Sequence, residues 1–195
     1  LGVSHKPMVD PRGHAYAKPV AAMRAYLDAM AAAADAVDPT CDVPIVLAAL
    51  RPPMLRLAAE HSLGAHPYLV TPEHTRRARA ELGAEPLLLV EHKVILEEDP
   101  EVARARGREA IAWYLGAENY VRSLLWLGFS EEDVADGGSD RLIDALVLHG
   151  DEATVAARLR EHHAAGADHV AIHPVADPAD PLGVATLTRL APHLA

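Results

Sequence analysis

Cysteine is almost missing from this sequence: Cys41 is the only one in 195 residues. An internal disulfide and a cysteine-based zinc site are therefore excluded, and a reducing compartment is the natural setting. Aromatic residues make up only 4%, so alanine, leucine and valine have to build most of the core. Positive charge is in deficit, with 18 Lys and Arg against 28 Asp and Glu and a formal net charge of −10. That balance argues against a general binder of nucleic acid or of an anionic membrane. No apolar run approaches the roughly 18–20 residues that cross a bilayer, and no signal peptide is visible, so a cytoplasmic protein is expected. The GxSxG, HExxH, Rossmann and P-loop patterns are all missing, which removes the usual sequence support for the chemistry each one carries. An initiator methionine is lacking too: Leu1-Gly2-Val3-Ser4 reads like the end of a strand.

What is present has ordinary globular balance, 50% hydrophobic and 24% charged. The length supports one domain over residues 1–195. The stretch from Pro44 to Thr71 organises the rest. Ile45-Val46-Leu47-Ala48-Ala49 is a short apolar run of the kind covered on both faces in a parallel sheet. Arg51-Pro52-Pro53 breaks it, and proline at a helix start is favourable because its missing N–H is unneeded there. Met54, Leu57, Ala58 and His61 recur at helical spacing, Gly64 stands where a C-cap glycine belongs, and Ala65 to Val70 is a second apolar run. Strand, helix and strand in so few residues predict a parallel βαβ unit.

Before this unit lies a loop rich in Pro, Gly and His. A helix follows from Pro19, with Val20, Met23, Leu27, Met30 and Ala34 on one side and a stop at Asp38-Pro39-Thr40. After it, Thr71-Pro72-Glu73 opens a helix carrying Arg76, Arg77 and Arg79, read as a solvated face. Leu87 to Leu96 is a strand, and Asp99-Pro100-Glu101 opens two helices parted by Gly116. Ser130 starts a short helix with a capping box, Arg141 to Leu148 reads as another, and Asp151 caps a long one with Val155, Leu159 and His162 inward. Val170 to His173 is the last strand and Leu182 to Leu194 the last helix. Gly64-Ala65, Gly83-Ala84 and Gly166-Ala167 each follow a helix and precede a strand, a weak internal repeat of one kind of joint.

Five strands, all parallel, are thus expected: the stub at Leu1 and runs near Ile45, Ala65, Leu87 and Val170. A (β/α)₈ barrel needs eight strands and about 250 residues. The reading is an α/β TIM barrel without about its first three βα units, with a five-stranded open sheet as the alternative.

In such folds the working groups sit at the carboxyl ends of strands. That rule nominates Ser4, His5, Ala48, Ala49, Leu50, Arg51, Tyr68, Thr71, Glu97 and His173. Small residues at Ala48-Ala49 admit a flat ring or a phosphate, or else pack under the next helix. Arg51 can meet a phosphate or form a surface ion pair; His5 can touch a cofactor, act as acid or base, or be a loop histidine. Metal binding is not expected from the twelve histidines. His162-His163 is helical, and strand residues four apart, as at His169 and His173, stand about 13 Å apart, too far to share an ion. Cys41, in a loop entering a strand, has no nucleophile signature around it.

Leu1 to His5, Val43 to Leu50 running into Met54 to Ala58, and Gly64 to Tyr68 together resemble the luciferase-like monooxygenase family, in particular its deazaflavin (coenzyme F420) branch. Tyr114-Leu115-Gly116, Asn119-Tyr120, Leu127-Gly128-Phe129 and Gly138 to Leu142 look like the same subgroup. The resemblance implies a TIM barrel holding F420, or alternatively FMN, at the strand C-termini. The implied activity is hydride transfer between that cofactor and a small organic substrate, or activation of oxygen by reduced flavin. It places Ser4 and His5 beside the ring, Ala48 and Ala49 against the ring and its ribityl chain, and Leu50, Arg51, Gly64 and Ala65 around the phosphate. Two departures stand out: Arg51-Pro52 replaces the family's Gly-Pro, and Leu63-Gly64 replaces its Asp-Gly. A lost glycine removes a close backbone approach, while Arg51 can offer a charge-assisted contact instead. Relatives carry their catalytic groups on the first three strands, so no catalytic residue is named. Open sheet edges call for a partner, and a homodimer is expected. The competing readings are a non-catalytic, shortened flavin-binding or structural relative, and an unrelated barrel isomerase or aldolase. The acidic Asp177-Pro178-Ala179-Asp180 sits where the latter needs a phosphate loop.

Overall fold

Parallel pairing begins at the first residue. In the computed structural model, which describes residues 1–37 and 43–194, the Leu1 ammonium donates to Val46 O at 2.8 Å and Leu1 O accepts from Ala48 N at 2.7 Å. Leu47 in turn donates to Gly64 O at 3.0 Å and accepts from His66 N at 2.7 Å. Strand β1 (Gly64–Ala65) pairs in parallel with the start of β2 (Leu87–Ile95), Gly64 opposite Leu87. Along most of its length β2 also pairs in parallel with a strand at His169–Pro174, from Leu89 opposite His169 to Val94 opposite Pro174. The paired segments therefore all run the same way, as the staves of a parallel barrel do.

Three expectations change in detail. The Ile45 run forms no full strand: only Leu47 makes a bridge, to Ala65, and the first segment ends at Ser4 with φ +62°. The expected helix Arg141–Leu148 stops at Leu146, and Val147–His149 becomes strand β3, which pairs with Lys93–Ile95 at the end of β2. The strand at His169–Pro174 is thus β4. Gly64 is no helix cap: after α1 (Lys6–Val9) and α2 (Pro19–Val37), the helix α3 (Pro52–His61) closes on Ser62, whose Oγ donates to Ala58 O at 2.8 Å. Its buried side is Leu55, Leu57 and Ala58, and His61 faces outward.

The capping signals act as their chemistry dictates. Thr71 accepts from His74 N ahead of α4 (Pro72–Leu82), and Asp99 from Glu101 N ahead of α5 (Pro100–Leu115). Gly116 separates α5 from α6 (Glu118–Leu127), and Ser130 and Asp133 form a reciprocal capping box on α7 (Glu131–Val134), which α8 (Asp140–Leu146) follows. Asp151 caps α9 (Glu152–Ala164), which buries Val155, Ala156, Leu159 and His162. Met23 and Leu27 bury the inner side of the helix at Pro19–Val37. Its expected stop at Asp38-Pro39-Thr40, and Cys41, lie outside the described residues.

Arg79 is not a solvated side chain. It donates to Gly166 O at 2.9 Å, to Gly83 O and Pro86 O at 2.8 Å each, and to Asp168 Oδ2 at 2.6 Å. Two of the repeated glycine joints are thereby tied to each other by one guanidinium. The main core runs from Met23 through Leu47, Leu55, Leu88 and Val90 to Leu142, and a smaller cluster joins Val94 and Leu148 to Val155, Leu159 and Leu190. Among the described residues no helix is long and apolar enough to cross a membrane.

Candidate active site

Where the first staves end, their last residues enclose a cavity of about 190 Å³. Ser4, His5, Ala48, Ala49, Leu50 and Arg51 all line it, joined by His66, Tyr68, Asn119 and Tyr120. Six of the eight expected cofactor contacts thus come together. Gly64 and Ala65 do not. They lie in β1, where Ala65 is fully buried and a Cβ on Gly64 would stand 1.9 Å from Leu87 O. Glycine is required there by the close approach of β2, not by a phosphate.

Two polar atoms on the cavity wall have no partner among the described residues: His5 Nδ1 and Arg51 Nε, both buried. His5 packs between Trp113, at 5.5 Å between ring centres, and Tyr120, at 5.2 Å. Its desolvation there lowers the imidazole below its ordinary value and favours the neutral ring. Arg51 donates to Asn119 Oδ1 at 3.1 Å through Nη2, which aims the rest of its fork. Buried donors and acceptors are normally paired, so two orphans on one wall leave hydrogen-bonding capacity that the described residues do not use. Ser4 adds a non-glycine residue in the left-handed region at the same place.

A second group of polar side chains lies beside this cavity, and strand alternation puts it there. Leu88, Val90, His92 and Val94 of β2 are completely buried, while Glu91 and Lys93 point to the opposite face. Lys93, whose side chain is 4% exposed, donates to Tyr68 Oη at 2.7 Å. Tyr114 Oη donates to the same oxygen at 2.9 Å. Glu91 Oε2 accepts from Leu69 N at 3.2 Å, and Oε1, which makes no aligned hydrogen bond, lies 2.9 Å from His173 Nδ1 and 3.7 Å from Lys93 Nζ. Desolvation pulls the Lys93 ammonium below its ordinary value against the attraction of Glu91. It pushes the phenols of Tyr68 and Tyr120 upward.

The strand-end rule reached Tyr68 and His173 but not Glu91, Lys93, Tyr114 or Asn119. The available signal was a pair of opposite charges two residues apart inside an apolar strand. Thr71 and Glu97, nominated by the same rule, serve as caps: Thr71 for α4, and Glu97 accepting from Asp99 N at 3.0 Å. Of the aromatic side chains on α5 and α6, Trp126 packs under Arg77 and against His74, whereas Tyr114 and Tyr120 belong to the polar group and the cavity.

Behind the sheet, His162 of α9 contacts Thr75 Oγ1 at 2.8 Å and His92 Nδ1 at 2.6 Å, and His74 Nε2 lies 2.6 Å from Leu50 O. Burial holds His74 and His162 down to about 4 and pushes His92 in the same direction. The acidic Asp177–Asp180 segment binds no anion cradle: Asp180 accepts from Ala185 N and Thr186 N and so caps the last helix, α10 (Val184–Leu194).

Comparison with known proteins bears on family and fold. A family model described as luciferase-like monooxygenase matches residues 1–169. No curated protein matches the chain. Among solved structures, it is similar to an F420-dependent secondary alcohol dehydrogenase in complex with an F420-acetone adduct, with 14% identity and a TM-score of 0.56 over 80% of this chain and 50% of that one. It is similar to apo-MsnO8, with 18% identity and a TM-score of 0.52 over 82% and 54%. It also resembles the coenzyme F420 dependent tetrahydromethanopterin reductase from Methanopyrus kandleri, with 16% identity and a TM-score of 0.52 over 79% and 52%. At such identities the likeness is one of fold, and the chain spans about half the length of the solved structures it matches.

Proposed function

This chain belongs to the luciferase-like monooxygenase family, and we propose that its cavity binds F420, or alternatively FMN, for hydride exchange with a small organic substrate. The observation that carries this reading is the convergence of Ser4, His5 and Ala48–Arg51 on one cavity whose wall holds two orphaned polar atoms. The residues present fit a flat, anionic-tailed group. Ala48 is open to the cavity and offers a methyl face beside Ala49, small enough for a ring to lie against. Arg51, where relatives carry glycine, would meet the phosphate by a charge-assisted contact, its guanidinium being always charged. When bound, such a cofactor supplies or accepts a hydride at its ring.

The protein's own share is placement and exclusion of water. His5, kept neutral and packed between the Trp113 and Tyr120 rings, walls one side without adding charge next to the ring. Val3, Val20 and Met54 line or back the cavity with apolar surface. F420 and FMN, titrated separately into the intact protein, test the reading by quenching of ring fluorescence and by a rise in melting temperature. One of the two should bind, and Arg51→Gln should weaken it roughly tenfold, the loss of one charge-assisted contact. Failure of both to quench or to shift the melt would end the proposal.

A further inference from the structure

Leu50 and Arg51 both line the cavity, yet the carbonyl between them is turned towards a residue that does not. His74 of α4 is fully buried, and its Nε2 lies 2.6 Å from Leu50 O. A carbonyl oxygen only accepts, so this nitrogen carries the imidazole proton and donates it. Nδ1 is left bare, buried and without a partner among the described residues. Leu50 O is thus the one hydrogen-bond partner of this side chain among them. The ring is set in place by its own backbone, whose N–H donates to Thr71 Oγ1 at 3.2 Å, and by the Trp126 edge, 5.8 Å away between ring centres.

Main-chain pairing does not hold this peptide. The strand-like bonds of the segment end at Ala48, whose N–H goes to Leu1 O, and helix bonding starts only at Arg51 O. The Leu50–Arg51 peptide is trans, so its N–H is aimed opposite to its C=O. With the C=O on His74, the Arg51 N–H points away from α4, and it has no acceptor among the described residues. The helix that follows has no main-chain donor to add. Pro52 and Pro53 open α3 without an N–H, and those of Met54 and Leu55 both go to Arg51 O, at 3.0 and 3.1 Å. Arg51 therefore carries two donors without an acceptor among the described residues, its main-chain N–H and its buried Nε.

We propose that the Arg51 N–H is an anion donor of this cavity, acting with the guanidinium of the same residue on the phosphate of a bound ligand, and that His74 is the positioning residue that aims it. The inference rests on reading the cavity as a site for a phosphate-bearing flavin or deazaflavin. While His74 holds the Leu50 carbonyl, that oxygen is kept from repelling a phosphate at Arg51. A peptide turned the other way would present the oxygen and withdraw the donor. Nothing but the His74 bond fixes the choice among the described residues, because neither strand pairing nor the helix reaches this peptide.

Inorganic phosphate, FMN beside riboflavin, and F420 beside its phosphate-free deazaflavin core are the probes, each titrated into the intact protein. Followed by heteronuclear NMR, the Arg51 amide proton should move downfield as a phosphate-bearing probe binds. His74→Leu removes the donor and should raise the Kd of FMN or F420 about tenfold, the loss of one charge-assisted hydrogen bond. The Kd of the phosphate-free member of the pair should change by less than about twofold. His74→Gln, whose amide can donate to Leu50 O, should bring the phosphate-bearing ligand back to within about threefold of wild type. A merely structural role would weaken both members of a pair alike. If His74→Leu does not fold, the wild-type Arg51 signal decides alone. The proposal is overturned if that proton stays in place with every phosphate-bearing probe, if His74→Leu weakens both members of a pair equally, or if His74→Gln behaves like His74→Leu. A downfield shift with inorganic phosphate in a protein that binds neither FMN nor F420 supports the anion donor and sinks the cofactor reading alone. Quenching of FMN or F420 over a stationary Arg51 proton does the reverse.

Discussion

Acid should weaken this fold well before its carboxylates titrate, and the reason is the set of imidazoles behind the sheet. His74 and His162 are buried and held at about 4, and His92 is pushed down in the same direction. In the unfolded chain each titrates near 6.5. A base whose folded value is depressed favours the folded state when neutral, so this stability is fully present above about pH 6.5 and is lost as pH falls towards 4. At pH 5 an unfolded imidazole is almost wholly protonated and a folded one mostly is not, which costs about 2 kcal/mol for each of His74 and His162. Together they remove about 4 kcal/mol, a large share of the 5–15 kcal/mol of an ordinary domain, and His92 adds to it. The lowered carboxylates, Asp144 and Asp168 among them, start from 3.8 and act below this window. The assay is urea unfolding of the intact protein at pH 7 and pH 5, followed by far-ultraviolet circular dichroism. His74→Gln is the control, since its amide can still donate to Leu50 O but cannot titrate. It should reduce the loss between the two pH values by its own share, about 2 kcal/mol. A stability unchanged between pH 7 and pH 5, or a full loss retained in His74→Gln, would refute the reasoning.

Three further substitutions probe the fold and the cavity. Gly64→Ala places a methyl 1.9 Å from Leu87 O, so the β1–β2 junction must open, at a cost of about 3 kcal/mol or more in denaturant unfolding. Arg79→Met strips four hydrogen bonds from the joints at Gly83 and Gly166; the expected loss is about 2–4 kcal/mol, read as a lower melting temperature. Ala48→Leu fills the cavity from a side chain open to it. F420 and FMN quenching should disappear while urea unfolding shifts by less than about 1 kcal/mol, and retained quenching would show that the ring does not lie against Ala48.

Much of the site was legible because strand ends in a parallel fold share one rim. Ser4, His5 and Ala48 to Arg51 are far apart in sequence yet meet for that reason alone. Gly64 misled because glycine is demanded equally by a phosphate and by a crossing strand, and only the 1.9 Å approach to Leu87 O tells them apart. Val147–His149 was taken into a helix because three apolar-rich residues after Leu146 carry no period of their own, and it is pairing with β2 that makes them a strand.

The sequence by itself determined the parallel α/β class and most of the helix starts, since apolar period, proline and capping side chains act within a few residues of one another. Only the tertiary structure decided which polar residues meet one another. Glu91 and Lys93 look like interruptions of a strand until Tyr68, Tyr114 and His173 arrive from three other segments to face them. Arg79 looks like surface until two joints close on it. Charge and hydrogen bonding take their meaning from neighbours distant along the chain, and folding is what supplies those neighbours.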